Sequence, residues 1–185
     1  GVISHRLSQA QNATAIYKSG HGIPYGSLVI GNDNGGNYGK TRAYLKFDMP
    51  DLQAGDIFID GQMGLVQYDK QYGYDHVQNP ELQVNVHKVT SSWTDASIWN
   101  SSGFSGLPTI DNIVVDYRLV SSSTCLTRVL FDISKLVKEW YNNPNTNYGV
   151  CLKAANENAW AMATFVSSYL GNEETCWPTL YVTYL

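Results

Sequence analysis

The residues able to do covalent or acid–base chemistry are thinly spread along this chain. Its four histidines, His5, His21, His76 and His87, stand far apart and share no metal-ligand spacing. His87 alternates with Gln83 and Asn85, which places it on the polar, solvent-facing side of a strand. A glycosidase needs two carboxylates facing each other across a bond. The acids on offer are Asp95 and the adjacent Glu173 and Glu174, the latter two in a Gly/Asn-rich stretch where acids are solvated charges. Cys151 sits mid-strand beside Lys153 with no partner histidine at a recognisable spacing, so it reads as structural; a reactive thiol needs a specific electropositive niche. No G-x-S-x-G elbow, phosphate loop or dinucleotide fingerprint occurs. The chain reads as non-catalytic.

The stronger chemical signal is aromatic. There are 13 Tyr and 5 Trp, while charged residues make up only 15% of the chain. Aromatic rings stack on the apolar C–H faces of sugars, and amide and hydroxyl donors around them complete a site for an uncharged glycan. Tyr38, Tyr72, Tyr74 and Trp160 fall in segments of loop composition. If the strands run strictly up and down, alternate connections share one end of the molecule and these four rings converge on one rim. The competing reading is four ordinary, singly exposed loop aromatics. Arg42, Tyr44 and Lys46, on the polar side of one strand, form a second candidate face that would suit an acidic sugar. Trp93, Trp99 and Trp140 read as packing residues. Asn32–Asn37 is rich in oxygen donors, yet Asp33 is its one carboxylate. A structural calcium is compatible with it but not expected, and no other cofactor is indicated.

The elements that must carry these residues are mostly strands. In Lys40–Pro50, Ala43, Leu45, Phe47 and Met49 alternate with Arg42, Tyr44, Lys46 and Asp48, the pattern of a strand buried on one face only. Pro50 lacks an N–H and ends it. Further strands are expected at Ala13–Tyr17, Ser27–Gly31, Ile57–Tyr68, Leu82–His87, Asn112–Leu119, Leu126–Phe131, Val150–Ala155, Ala163–Ser167 and Thr179–Tyr184. Gly1–Gln11 reads as an irregular arm or edge strand. Gly61 and Gly64 mark expected bulges. The long connection Ser91–Ile110 carries Trp93, Trp99 and Phe104, which should pack down onto the body. Only at Ile133, Leu136, Val137 and Trp140 does the period change to that of a helix, with Asp132 placed to cap it and Asn142-Asn143-Pro144 to stop it. Without β–α alternation, this predicts an all-β, two-sheet antiparallel sandwich with one short helix near 133–142.

Arg42-Ala43-Tyr44-Leu45-Lys46-Phe47-Asp48, followed by a Pro/Gly connection and a long strand, resembles the DNRLRE-type domain. Pro24-Tyr25-Gly26 before Leu28–Gly31, Val86–Thr90 running into Ser91–Thr94, Phe131–Trp140, Tyr148–Lys153 and Pro178–Tyr184 agree in order, from about Ala13 to the end. That family is a jelly-roll, carbohydrate-binding-module-like domain of secreted and wall-associated bacterial proteins, including Rhs/YD-repeat proteins. The resemblance implies a jelly roll and a broad role, a non-catalytic module that anchors a larger extracellular protein to a polysaccharide. It names no glycan. The alternative is a structural or adhesive domain of a wall-associated protein without a glycan ligand.

Bulk properties agree. At 185 residues, 43% of them hydrophobic, the chain suits one sandwich with a real core. A formal net charge of −4 argues against nucleic acid or an anionic membrane as partner. Polysaccharide and neighbouring modules of the same polypeptide are the expected partners, and the location extracellular or cell-surface associated. Cys125, Cys151 and Cys176 are an odd number, so at least one thiol is free or pairs outside the chain, and any of three bridges is open.

Overall fold

The strand at the centre of the molecule is Lys40–Leu45. It pairs antiparallel with three others: Asn12–Ile16 along Thr41–Leu45, Val150–Ala154 along Ala43–Leu45, and Ser27–Asn32 at Lys40 and Thr41. In this computed structural model the described residues are 1–18, 24–33, 35–67, 81–124 and 126–185. Among them the strands are β1 (Val2–Arg6), β2 (Asn12–Ile16), β3 (Ser27–Asn32), β4 (Lys40–Leu45), β5 (Phe58–Val66), β6 (Leu82–Val89), β7 (Ile110–Val120), β8 (Arg128–Asp132), β9 (Val150–Ala154), β10 (Met162–Val166) and β11 (Thr179–Tyr184). The α-helices are α1 (Asp95–Trp99) and α2 (Ser134–Asn142).

The strands form two antiparallel sheets, the expected all-β sandwich. One has the order β1-β11-β5-β8; the other runs β10-β3-β4-β9-β6-β7, with β2 alongside β4. The expected arm at the N-terminus is thus the edge strand β1, paired with β11 from Val2↔Thr183 to Arg6↔Thr179. The strands are not ordered up and down as the rim argument required. The chain passes from one sheet to the other after β1, β4, β5, β7, β8 and β10. Such crossings let each sheet cover the other's apolar face, and they break the parity of the connections.

Between the sheets lie Ala43, Leu45 and Phe47 of the central segment, Met63 and Leu65 of β5, Phe131 of β8, Leu152 of β9, Phe165 of β10 and Val182 of β11, all essentially without exposure. Alternation therefore holds on the inner side of Lys40–Pro50, though strand pairing ends at Leu45. Helix α2 adds Leu136, Val137 and Trp140 to this core, as its period predicts. Asp132 accepts a 3.0 Å bond from the Ser134 backbone N–H in its first turn, and the helix ends at Asn142.

Gly61 and Gly64 are not bulges; both pair in register with β11, and the irregularity falls near Phe58–Asp60. They are glycines for want of space. A Cβ on Gly61 would meet Val137 of α2 at 2.8 Å, and one on Gly64 would meet Arg128 at 2.9 Å. No described helix is long and apolar enough to cross a membrane.

The outer side of β4 departs from expectation. Tyr44 has no exposure and belongs to a second apolar cluster with Ala13, Ala15, Val89, Ile98 and Cys151. The strand is buried on both faces because the connection 91–109 folds back over it. Thr94 caps α1 by accepting from the Ser97 N–H, and Trp93, Trp99 and Phe104 pack down as anticipated. His87, expected in solvent, is buried too, its Nδ1 2.9 Å from the Asp111 carbonyl oxygen.

Candidate ligand-binding rim

The candidate ring aromatics fare differently. Tyr72 and Tyr74 lie outside the described residues. Tyr38 is only 8% exposed, packed with Ile16, Val29 and Met162, and offers no stacking face. Trp160 is 69% exposed and belongs to no core cluster. The connections carrying Tyr38 and Trp160 do adjoin, at the Asn32 end of β3. The difference lies in the turns. Asp33 accepts from the backbone N–H groups of Tyr38 at 2.7 Å and Gly39 at 2.8 Å, closing the β3–β4 turn with the Tyr38 ring inward. Both carboxylate oxygens of that oxygen-rich turn are thus occupied by the backbone.

The Trp160 connection, residues 155–161, is fixed along its length. Asn32 donates its side-chain amide to the Glu157 carbonyl oxygen and its backbone N–H to that of Ala161, both at 2.9 Å. Gly31 permits this approach: it has φ 131°, and a Cβ there would sit 2.1 Å from the Ala161 oxygen. The Glu157 carboxylate takes two bonds from Arg42, at 2.7 and 2.9 Å, and lies 3.3 Å from Lys153 Nζ. Asn156 and Asn158, either side of Glu157, are exposed, and Asn158 donates its N–H to the Asn156 side chain. The rim is an exposed indole on a braced loop that also carries two exposed amides.

The second candidate face is not a surface. The Arg42 side chain keeps 21% exposure and its guanidinium lies 4.5 Å from the centre of the Phe104 ring. Burial works against its charge, but the bonds and charge of Glu157 outweigh this and hold Arg42 more firmly protonated than usual. Burial likewise opposes ionisation of Glu157, yet Arg42 and then Lys153 pull its pKa below the ordinary carboxylate value. The buried Tyr44 hydroxyl is close enough to feel Cys151 and Arg42, though no atom of the described residues completes a hydrogen bond to it. Burial first, then Cys151, pushes its pKa up. Lys46 lies beyond the far end of β4, half-buried beside a cavity.

One aromatic group went unnoticed in the sequence. Tyr25, Trp99 and Tyr169 meet edge to face, with ring centres 4.7 Å (Tyr25–Trp99), 5.2 Å (Trp99–Tyr169) and 5.7 Å (Tyr25–Tyr169) apart. Tyr25 is 49% exposed. The Tyr169 hydroxyl donates to Asp95 at 2.5 Å, and burial followed by that carboxylate raises its pKa. The group lies at the Ser27 end of β3, the length of that strand from Trp160. Only Pro24-Tyr25-Gly26 hinted at it, as a motif rather than as a surface.

The remaining candidate chemistry is engaged elsewhere. Asp95 holds Tyr169, and Glu174 lies 3.6 Å from Arg6. Cys151 and Cys176 are both free, and Cys125 lies outside the described residues. Burial pushes the Cys151 thiol up to about 11. In a Cys125→Ser variant, a thiol-specific chromogenic disulfide should titrate Cys176 in the native state and Cys151 only after denaturation. Rapid native labelling of Cys151 would show that its niche opens.

No protein-family model matches the chain, and no curated protein matches it significantly.

Proposed function

We propose that this chain is a non-catalytic carbohydrate-binding module, displayed outside the cell as part of a larger protein and anchoring it to a polysaccharide. The resemblance to the DNRLRE-type domain suggested this role, and Trp160 carries it. Leaving a large ring in water forgoes its burial, and a flexible loop would let it collapse onto the body. Here Asn32, Gly31 and the Arg42–Glu157 pair prevent that collapse. A ring held out in this way loses little freedom on stacking against a sugar, and Asn156 and Asn158 supply donors at its side.

Trp160→Ala should weaken binding to the cognate polysaccharide by about 1–3 kcal/mol while the melting temperature stays put. Titration calorimetry paired with thermal melting on both proteins reads this. Unchanged affinity would move the site to Tyr25, Trp99 and Tyr169. The same preparations should release no reducing ends from a polysaccharide panel. Turnover abolished by Asp95→Asn or Glu174→Gln would overturn the non-catalytic reading.

A structural or adhesive role is favoured by one other observation. β7 exposes Ile113, Tyr117 and Leu119 on a strand at the end of its sheet. That reading prevails if a glycan array returns no ligand.

A further inference from the structure

At the end of β4 away from Trp160, a cavity of about 520 Å³ opens between residues 46–52 and the C-terminal turn of α2. Its size is that of a small-molecule site. One wall is the helix end itself, where Trp140 and Tyr141 line the space; this last turn carries no basic side chain, so its partial negative charge is uncompensated. Facing it are Asp48 and Asp51, both exposed, and Lys46. None of the three is in an ion pair among the described residues. The walls are tied together. The Tyr141 hydroxyl donates to the Pro50 carbonyl oxygen at 2.6 Å, and Asn147 donates to that of Phe47 at 2.8 Å.

One lining residue is incomplete. Trp140 is 1% exposed, yet its indole N–H has no acceptor among the described residues. A buried donor left so is costly, and an acceptor entering the cavity would relieve that cost.

We propose that this cavity binds a single amine-bearing sugar unit, a hexosamine with its nitrogen unacylated. Resting on the reading that the chain's ligands are glycans, it adds a second site and a chemical class. Two carboxylates and a helix C-terminus against one lysine favour a cation over a neutral or acidic group. A bare lysine or arginine side chain would satisfy the acids but bring no acceptor. A hexosamine brings an ammonium for Asp48 and Asp51 together with hydroxyl oxygens for the Trp140 N–H and for Lys46.

The test is titration calorimetry of the whole chain with glucosamine, N-acetylglucosamine, glucose and glucuronate. Glucosamine should bind, and the other three roughly tenfold or more weaker, as loss of a charge-assisted bond implies. Asp48→Asn/Asp51→Asn, altering exposed side chains only, should abolish the preference for the amine with unchanged melting. Trp160→Ala should leave it intact. Equal binding of glucose and glucosamine, a preference surviving the double substitution, or no glucosamine binding by the native chain would each overturn the proposal. If the native chain binds polysaccharide through Trp160 but no glucosamine, the cavity proposal fails alone. If glucosamine binds and no polysaccharide does, the rim fails alone.

Discussion

Phe47→Ala should lower the unfolding free energy by about 3–5 kcal/mol, the range for removing a buried phenyl group. Phe47 is 1% exposed and stands between the sheets with Leu45, Met63 and Phe131. Its backbone is held as well, since Asn147 donates to its carbonyl oxygen, so the segment has little freedom to collapse into the space vacated. The neighbouring Asp48 is exposed, and Asp48→Ala should change stability by no more than a few tenths of a kcal/mol. Urea unfolding of the two variants and the native chain gives the contrast directly. An unchanged midpoint in Phe47→Ala would mean that the inward face has been assigned to the wrong residues.

Glu157→Ala should cost roughly 2–3 kcal/mol, somewhat below the range for breaking a fully buried pair. The Arg42 and Glu157 side chains retain 21% and 14% exposure, so solvent screens part of the loss. What remains is an arginine held against Phe104 with its carboxylate gone. The pH dependence follows from the lowered pKa of Glu157. Its contribution is fully present above the pKa it would have in the unfolded chain, and it is lost as pH falls through the lower folded value. The native chain should therefore lose stability on acidification more steeply than Glu157→Ala, and the two curves should converge at low pH. Parallel curves would show that ionisation of Glu157 is not linked to folding. The same substitution unbraces the Trp160 loop, so the indole should gain mobility, read as lower fluorescence anisotropy against a Trp160→Phe control.

How much could be read beforehand varies with the element. Period-2 alternation located Ala43, Leu45 and Phe47 on the inner side of the central segment, and the i, i+3, i+4, i+7 stripe located α2, because each pattern repeats over enough residues. Helix α1 was missed: five residues hold little more than one turn, too few for a period. Alternation also says which side chains share a face, not whether something else covers that face. Tyr44 reads as surface because its cover, Trp93, lies about fifty residues along the chain. Tyr38 and Trp160 sit in similar surroundings and end with opposite exposure, decided by which backbone groups Asp33 and Asn32 capture. The strand order failed for a related reason. Pairing of β4 with β9 and β2 depends on which apolar faces meet, which turn composition does not encode.

The three partners of β4 also bear on how the chain reaches this structure. Two of them, β2 and β9, lie roughly 30 residues before it and 110 after it, and β9 has to arrive before the ladder is complete. Contacts so remote in sequence impose a large closure entropy ahead of any reward, so folding should be slow for a chain of this size. Once formed, the amides of β4 and β9 can exchange with solvent only when the whole sandwich opens. Those of β1 and β7, each paired on a single side, can fray independently. In deuterated buffer the protected set should trace the central ladder, with Ala43 and Leu152 among the last to exchange.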